Sequence, residues 1–349
     1  MNYRAEVDRC CARGTILVMR TKHSGHLISR VGQGRSNRTA PLKIPPKATL
    51  VAPPRPIRDW AKQNERLVAR GDVEIWVNLE DLTGRGSGLG SGCGRPFPVA
   101  AISVLVVLQT IYQLPLRQTE GLGQFLVRSL RRDCSVPDYS TICRRRRELA
   151  WDPPRLRRGQ VIAVDATGIT VRSTGPWLAD KGWDKSKSRF VKLHAGIDQQ
   201  TGEILSFVVT KADGQGSGDV SVGPRLIREA ARVNEDCAGV LADRAYDAKT
   251  CYVAAKDTGT TLYAVPKDTA VRGLHPDRDT HLDQIGRVGP STWKRRVGYG
   301  QRAQVESVFS ALKRTTGDRT RARSFEGALA EIKARVWLYN QRLDLYPIR

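Results

Sequence analysis

The stretch VIAVDAT at residues 161–167 begins with an apolar run that is followed by an acid, Asp165. A second such run, GVLAD at residues 239–243, is followed by Asp243. Short apolar runs bounded by polar residues are typical of buried strands in the centre of a sheet. Asp165 and Asp243 are therefore expected at the carboxyl ends of core strands, where open α/β sheets bind their ligands. Either acid alone is more typical of a helix cap or a turn, but the pair favours a shared cleft.

Strand-like and helix-like segments surround these two runs. The pattern predicts further strands at residues 190–197, 204–209 and 261–265, and helices at residues 220–233, 246–256, 299–315 and 325–343. Residues 266–297 show no clear period and are interpreted as a loop. The order β-β-β-α-β-α-β-loop-α-α predicts an α/β fold with a mixed sheet flanked by helices, and the turn residues at 198–202 predict that the first strands are antiparallel.

A polar stripe follows the predicted helix at residues 299–315. Four polar residues fall within an arc of about 60° when each residue advances about 100°: Tyr299, Arg302, Glu306 and Lys313. The neighbouring arc is apolar: Val305, Val308, Phe309 and Leu312. Because the two stripes adjoin, the helix is expected to line a cleft at the edge of the core. The alternative is an ordinary surface ion pair between Arg302 and Glu306, which contributes about 0.2–0.5 kcal/mol.

Three short helices are predicted before the sheet, over residues 98–113, 116–130 and about 137–149. Ser140 or Thr141 is a suitable cap for the third helix. Short helices joined by tight turns indicate a helix-turn-helix-like unit. The third helix carries four consecutive arginines that suit phosphate or groove contacts with DNA, or that simply form a solvated charged face: Arg144, Arg145, Arg146 and Arg147.

The predicted domains are a basic extension at residues 1–56, a mainly helical DNA-binding region at 57–150 and a catalytic domain at 157–349. Residues 1–58 hold twelve Lys and Arg against two acids and show no hydrophobic period, which predicts disorder. The extension is either a DNA-contacting arm or upstream sequence joined by a wrongly chosen start codon. Residues 84–94 read GRGSGLGSGCG and predict a flexible linker, while residues 73–77 alternate like a strand.

The composition indicates the class of partner. A formal net charge of +23 favours a polyanion, most commonly nucleic acid, although a generally basic protein is the alternative. The seven cysteines are odd in number and lack Cys-x-x-Cys spacing, so reduced thiols in a cytosol are expected. The most apolar stretch, residues 99–111, is shorter than the roughly 20 residues that a membrane span needs. No membrane partner is therefore expected.

The chain resembles the DDE transposases of bacterial insertion sequences, in particular the insertion-sequence-five and insertion-sequence-four type. That group carries a Tyr-x2-Arg-x3-Glu-x6-Lys signature, which Tyr299, Arg302, Glu306 and Lys313 reproduce without a gap. The segments around Asp165 and Asp243 resemble the family's two Asp motifs, and the resemblance covers about residues 57–345. Two departures are Gly218-Asp219, where the family often has a His-Asp-like pair, and the glycine-rich stretch at 84–94.

The resemblance implies a ribonuclease-H-like fold and a catalytic triad of Asp165, Asp243 and Glu306. In this family the three carboxylates bind two Mg²⁺ (or Mn²⁺) ions, cleave DNA at the element ends and transfer the 3′-hydroxyl to target DNA. Tyr299, Arg302 and Lys313 are expected to contact DNA. The implied partners are double-stranded DNA, as terminal inverted repeats and target, and further copies of the chain in a homo-oligomer. The implied location is the bacterial cytoplasm, at the nucleoid.

Two rival functions share these features. The first is an inactive, transposase-derived DNA-binding protein, and the second is a ribonuclease-H-like nuclease that cuts but does not join. Trp293, just before the signature helix, is interpreted either as a stacking platform for a displaced base or as a core residue.

Overall fold

The computed structural model describes residues 60–69, 76–83, 97–154, 156–158, 161–171, 190–212, 216–267 and 269–345. The predicted extension at 1–56 and the predicted linker at 84–94 lie outside these residues. The same holds for most of the predicted strand at 73–77, of which only Trp76 and Val77 are described. Both are buried, and neither lies in a strand.

Helices account for most of the described residues. In chain order they are α1 (Trp60–Ala69), α2 (Val99–Tyr112), α3 (Leu116–Ser129), α4 (Tyr139–Arg145), α5 (Asp219–Val233), α6 (Lys249–Asp257), α7 (Pro276–Val288), α8 (Pro290–Arg296), α9 (Gln304–Thr316) and α10 (Phe325–Leu345). Short 3₁₀ turns cover Leu79–Thr83, Arg244–Tyr246 and Tyr299–Ala303. The strands are β1 (Arg157–Arg158), β2 (Val161–Val171), β3 (Phe190–Asp198), β4 (Ile204–Lys211), β5 (Asn234–Glu235), β6 (Gly239–Ala242), β7 (Leu262–Ala264) and β8 (Arg319–Thr320).

The main sheet has six strands and both pairing directions. Its order is β4-β3-β2-β6-β7, with β8 paired to β2. Strands β2, β3 and β4 are antiparallel neighbours, whereas β6 and β8 pair parallel to β2, and β7 pairs parallel to β6. The predicted mixed sheet flanked by helices is confirmed.

Each face of the sheet is covered by helices, because successive side chains of a strand point to opposite faces. Ile162 and Val164 pack with Leu226 and other residues of α5 and α6 on one face. Ala163 lies on the other face, in the cluster that contains Val308 of α9 and further residues of α10. The central strand β2 is thus buried between two layers and holds its side chains rigidly.

The N-terminal helices share a buried cluster with the last helix. Nine residues of α2 are buried, and this helix packs in a cluster that includes Trp337 and Leu338 of α10. Among the described residues no single helix is long and apolar enough to cross a membrane. Helices α2 and α3 together, with a bend of 115° between them, have the length and apolar composition of a span, and only these two properties support that reading.

The structure corrects three local predictions. Strand β2 does not end at Asp165 but continues to Val171, because β3 pairs with it as far as Thr170. The predicted loop at 266–297 contains helices α7 and α8. The cap of α4 is Asp138, whose carboxylate accepts the Thr141 amide at 2.7 Å; neither Ser140 nor Thr141 takes that position.

Candidate active site

Asp165 and Asp243 lie next to each other at one point of the sheet. The parallel register of β2 and β6 ends at the pair Val164 and Ala242, so each acid is the next residue on its strand. Neighbouring strands are about 4.8 Å apart. Asp165 therefore lies where its parallel neighbour ends and a cleft opens, although its own strand continues.

Both acids also make local hydrogen bonds. The Asp243 carboxylate accepts the Ala245 amide at 2.8 Å and caps the 3₁₀ turn that follows β6. The Asp165 carboxylate accepts the Ala166 amide at 2.8 Å. Burial raises the pKa of Asp165, and the nearby Asp243 adds to that rise, while the Ala166 amide and Arg302 oppose it. A neighbouring carboxylate that raises the pKa of Asp165 favours a bound cation beside it.

Glu306 reaches the same region from α9. The Arg302 guanidinium donates to an Asp165 carboxylate oxygen at 2.7 Å and to a Glu306 oxygen at 3.2 Å. The predicted surface ion pair between Arg302 and Glu306 is therefore formed. Arg302 also pairs with Asp165 on the sheet. The Glu306 side chain is 65 % exposed, against 20 % for Asp165, so it lies at the open side of the cleft.

Two other residues of the polar stripe attach α9 and its preceding 3₁₀ turn to the sheet. The Tyr299 hydroxyl donates to the carbonyl of Ala242, the residue before Asp243, at 2.8 Å. The Lys313 ammonium donates to the Thr167 hydroxyl at 2.7 Å. The stripe thus contacts both acid-bearing strands. The apolar stripe beside it is buried, as the sequence predicts: Val305, Val308, Phe309 and Leu312.

An open cleft of about 600 Å³ lies between β2 and α9. Asp165 and Glu306 line it. Other lining residues come from β2, from the end of α9 and from the loop after α9: Thr167, Lys313, Arg314, Gly317 and Asp318. Residues 294–323 contain nine Lys and Arg against two acids. A polyanion is therefore attracted to this side of the molecule, towards the carboxylates.

The donor set suits a divalent cation. Within the described ranges no three His, Cys, Asp or Glu side chains are already grouped closely enough to hold a metal ion. Arg302 instead supplies the positive charge between Asp165 and Glu306. Carboxylate oxygens are the ligands that Mg²⁺ and Mn²⁺ prefer. The residues fit such an ion once Arg302 releases the two carboxylates.

The four arginines of the run at 144–147 have different surroundings. Arg145 donates to the Phe97 carbonyl. Arg146 is 4 % exposed and forms an ion pair with Glu331 of α10 at 3.1 Å. Arg144 and Arg147 are exposed. Arg146 therefore joins α4 to α10, and the surface charge of the run comes mainly from the other members.

Trp293 is a core residue. It is 1 % exposed and donates from its indole N–H to the Gln284 side chain at 3.2 Å. Its ring also lies 5.5 Å from that of His281. Of the two interpretations, the structure supports the buried one.

Thr167, which accepts the Lys313 hydrogen bond, is not among the residues predicted from the sequence. The same is true of the Lys192–Asp219 ion pair, formed at 2.8 Å on the opposite face of the sheet. Thr167 was accessible in principle, because a strand that continues past Asp165 places residue 167 on the same face. The ion pair has no such local signal, since its partners are 27 residues apart.

The fold and the site define an α/β protein with an acidic centre at a point where two parallel strands and a helix meet. The chain belongs to the family of transposase DDE domains, whose sequence model matches residues 157–341. A second model, also described as a transposase DDE domain, matches residues 68–174. The protein is therefore a transposase of the DDE class, a family that acts on DNA by nucleotidyl transfer and generally uses divalent metal ions.

Proposed function

We propose that this chain is an active insertion-sequence transposase that cuts DNA at the element ends and joins the resulting 3′-hydroxyl to target DNA. One observation carries the proposal. Glu306 of α9 and Asp165 of β2 line one cleft that also has basic residues in its wall. Asp243, which follows β6, lies beside Asp165 where the pairing of the two strands ends. The Tyr-Arg-Glu-Lys spacing further favours the insertion-sequence-five and insertion-sequence-four type.

Each carboxylate has a distinct role in the proposal. Asp165 is adjacent to Asp243 on the sheet and is linked to Glu306 through Arg302, so it would be a ligand shared by the ions, and Asp243 and Glu306 would each add a further ligand. Two Mg²⁺ ions, when bound, lower the pKa of water or of a DNA 3′-hydroxyl and stabilise the leaving oxygen. Strand β2 holds Asp165 in place, whereas Glu306 is exposed and adjusts its position to the substrate.

The basic residues bind the DNA backbone. Lys313 and Arg302 reach the cleft from the same side as Glu306, and we assign them to phosphates next to the scissile bond. A phosphate in the cleft draws Arg302 away from Asp165 because it offers the guanidinium a competing anion. Tyr299 holds the strand end before Asp243 through its bond to Ala242, and its exposed part is available to DNA.

The N-terminal helices supply further DNA contacts in this proposal. Arg144 of α4 and Arg147, which follows this helix, are the exposed members of the run and are open to phosphates. Arg146 is left out because it is buried against Glu331. We assign this helix-turn-helix-like region to the terminal inverted repeats, with several copies of the chain assembled on the two ends.

The experiment needs an end sequence, which is found by searching the DNA that flanks the gene for short inverted repeats. A labelled duplex carrying that end is incubated with the purified protein in Mg²⁺, in Mn²⁺ and in EDTA. We expect metal-dependent nicking at the end of the repeat. In a second reaction, precut ends with a free 3′-hydroxyl should be joined to a supercoiled plasmid.

The same two reactions separate the rival functions. Binding of the end duplex without nicking in any metal would indicate an inactive DNA-binding protein. Nicking without joining of precut ends would indicate a nuclease. Nicking that persists in EDTA would remove the carboxylates' metal role from the proposal.

A further inference from the structure

A charged cluster lies behind the acidic centre, on the opposite face of the sheet. Lys192 and His194 are two residues apart on β3 and pair with Gly168 and Ala166 of β2. Directly paired residues share a face, so both side chains lie on the face away from Asp165. The proposed reaction uses neither of them.

Asp219, the first residue of α5, joins these two side chains. Its carboxylate accepts from the Lys192 ammonium at 2.8 and 2.9 Å, and one of its oxygens lies 3.2 Å from His194 Nδ1. His194 is fully buried, and its other ring nitrogen lies 3.1 Å from the Thr210 hydroxyl of β4. Asp219 thereby fixes the start of α5 to the strand that backs Asp165.

The same carboxylate also reaches the segment that carries Asp243. The Tyr246 hydroxyl donates to Asp219 at 3.4 Å, and Tyr246 belongs to the 3₁₀ turn that Asp243 caps. Tyr246 is fully buried. A Cβ on Gly223 of α5 would meet its ring at 2.9 Å and the Cys251 sulfur at 2.7 Å. Helix α5 therefore packs so closely on Tyr246 that the ring, and the turn with it, has little freedom.

The Asp219 carboxylate stays ionised around neutral pH. The adjacent His194 ring and the pairing with Lys192 lower the pKa of Asp219 to about 2, against the opposing effect of burial. A partly buried ion pair is weak evidence for stability alone, because desolvation offsets most of the attraction. A role in fixing the geometry of neighbouring groups accounts better for its contacts with β3, the neighbour of β2, and with the turn that follows β6.

We propose that Asp219 is a positioning residue, which holds Asp165 and Asp243 at the separation that the metal ions require. It acts on Asp165 through Lys192 and His194 on β3, and on Asp243 through Tyr246. This inference rests on the proposed function, because the separation matters only if the two acids share ions. Supporting partners of metal ligands, when removed, typically lower metal affinity or activity by about 10–100-fold.

The test uses Asp219→Asn, Tyr246→Phe and the double variant in the full-length protein. Asp257→Asn is the matched control, because it breaks an exposed ion pair that also involves α5, between Arg228 of α5 and Asp257 of α6. Mn²⁺ binding is measured by electron paramagnetic resonance, and nicking is measured at saturating DNA. We expect Asp219→Asn to lower Mn²⁺ affinity and the nicking rate by about tenfold or more, with little change in DNA affinity. The double variant should lose less than the sum of the single losses, because both changes act on one contact.

Several outcomes would overturn the positioning role. Wild-type Mn²⁺ affinity in Asp219→Asn is one, and an equal loss in Asp257→Asn is another. If Asp219→Asn does not fold, Tyr246→Phe decides the question alone, since it removes a single hydroxyl. If the wild-type protein cuts no DNA, the proposed function fails, but the Mn²⁺ affinities of the variants still test this inference.

Discussion

Arg302 donates to Asp165 at 2.7 Å and places a fixed positive charge against a proposed metal ligand. The same guanidinium contacts Glu306 at 3.2 Å, so one positive charge is shared by two of the three acids. In the absence of DNA this arrangement competes with a divalent cation for the same oxygens. With DNA present, a phosphate offers Arg302 another partner and frees the carboxylates. Metal binding and DNA binding are then expected to favour each other.

The competition predicts that Arg302→Gln binds Mn²⁺ more tightly than the wild-type protein when no DNA is present. Loss of one adjacent charge is worth on the order of 1.4 kcal/mol, or about tenfold in affinity. Cutting of element ends should nevertheless fall, because the phosphate contact is lost. Arg314→Gln is the matched control, because Arg314 is exposed and lines the same cleft. This substitution removes the same charge as Arg302→Gln. Unchanged or weaker Mn²⁺ binding in Arg302→Gln would contradict the competition.

The acids themselves give the most direct prediction. Asp165→Asn, Asp243→Asn and Glu306→Gln should each abolish Mg²⁺-dependent nicking, because a neutral amide is a poor ligand for a hard cation. Binding of the end duplex in a gel-shift assay should remain, since the basic surface is unchanged. Asp318→Asn serves as the control, because Asp318 lines the same cleft but is 68 % exposed and lies outside the proposed triad. Wild-type nicking by any of the three would remove that residue from the mechanism.

Lys313 is expected to contribute one phosphate contact. Lys313→Ala should weaken binding to element ends and reduce the slope of log affinity against log salt by about one. Thr167→Val separates charge from position, because it removes the acceptor of the Lys313 hydrogen bond but keeps the ammonium. Its salt slope should stay at the wild-type value. Lys249→Ala, which removes an exposed charge from α6, should also leave the slope unchanged. An unaltered slope in Lys313→Ala would argue against the phosphate contact.

Much of the fold was accessible from the sequence because its signals are local. The apolar runs before Asp165 and Asp243 predict two core strands, and their parallel pairing brings the acids together. The 3.6-residue period of α9 correctly predicts its buried face. The end of β2 was predicted too early because the apolar run stops at Asp165, and the residues that follow include Gly168, which is unfavourable in a strand. Pairing with β3 extends the strand past this glycine, and such pairing is not a local property.

The helix α7 was missed because its buried face is polar. Arg278 and His281 are its buried residues, so no apolar period marks the segment. Arg278 is stabilised by a two-pronged ion pair with Asp247, at 2.7 and 3.0 Å. Such partners lie 31 residues away in the chain, and only the tertiary structure brings them together. The Asp219 cluster escaped notice for the same reason.

The buried His281 predicts a pH dependence of stability. Its ring lies 5.2 Å from that of Tyr263 and 5.5 Å from that of Trp293. Burial lowers the pKa of His281 to about 4, although the nearby Asp277 and Asp247 oppose the shift. The unfolded chain therefore takes up this proton first as the pH falls from 6.5 towards 4. Above pH 6.5 the contribution to stability is complete, and it is lost progressively across this window.

His281→Phe isolates this contribution, because it keeps an aromatic ring in the cluster and removes the titrating group. The free energy of unfolding of the wild-type protein should fall relative to the variant by up to about 3 kcal/mol between pH 6.5 and 4. Urea unfolding at a series of pH values measures the difference, which should be constant above pH 7. Because Phe keeps a ring packed against Trp293, nicking near neutral pH is expected to change little in the variant. Parallel stability curves for the two proteins from pH 7 to 4 would show that His281 does not limit acid stability.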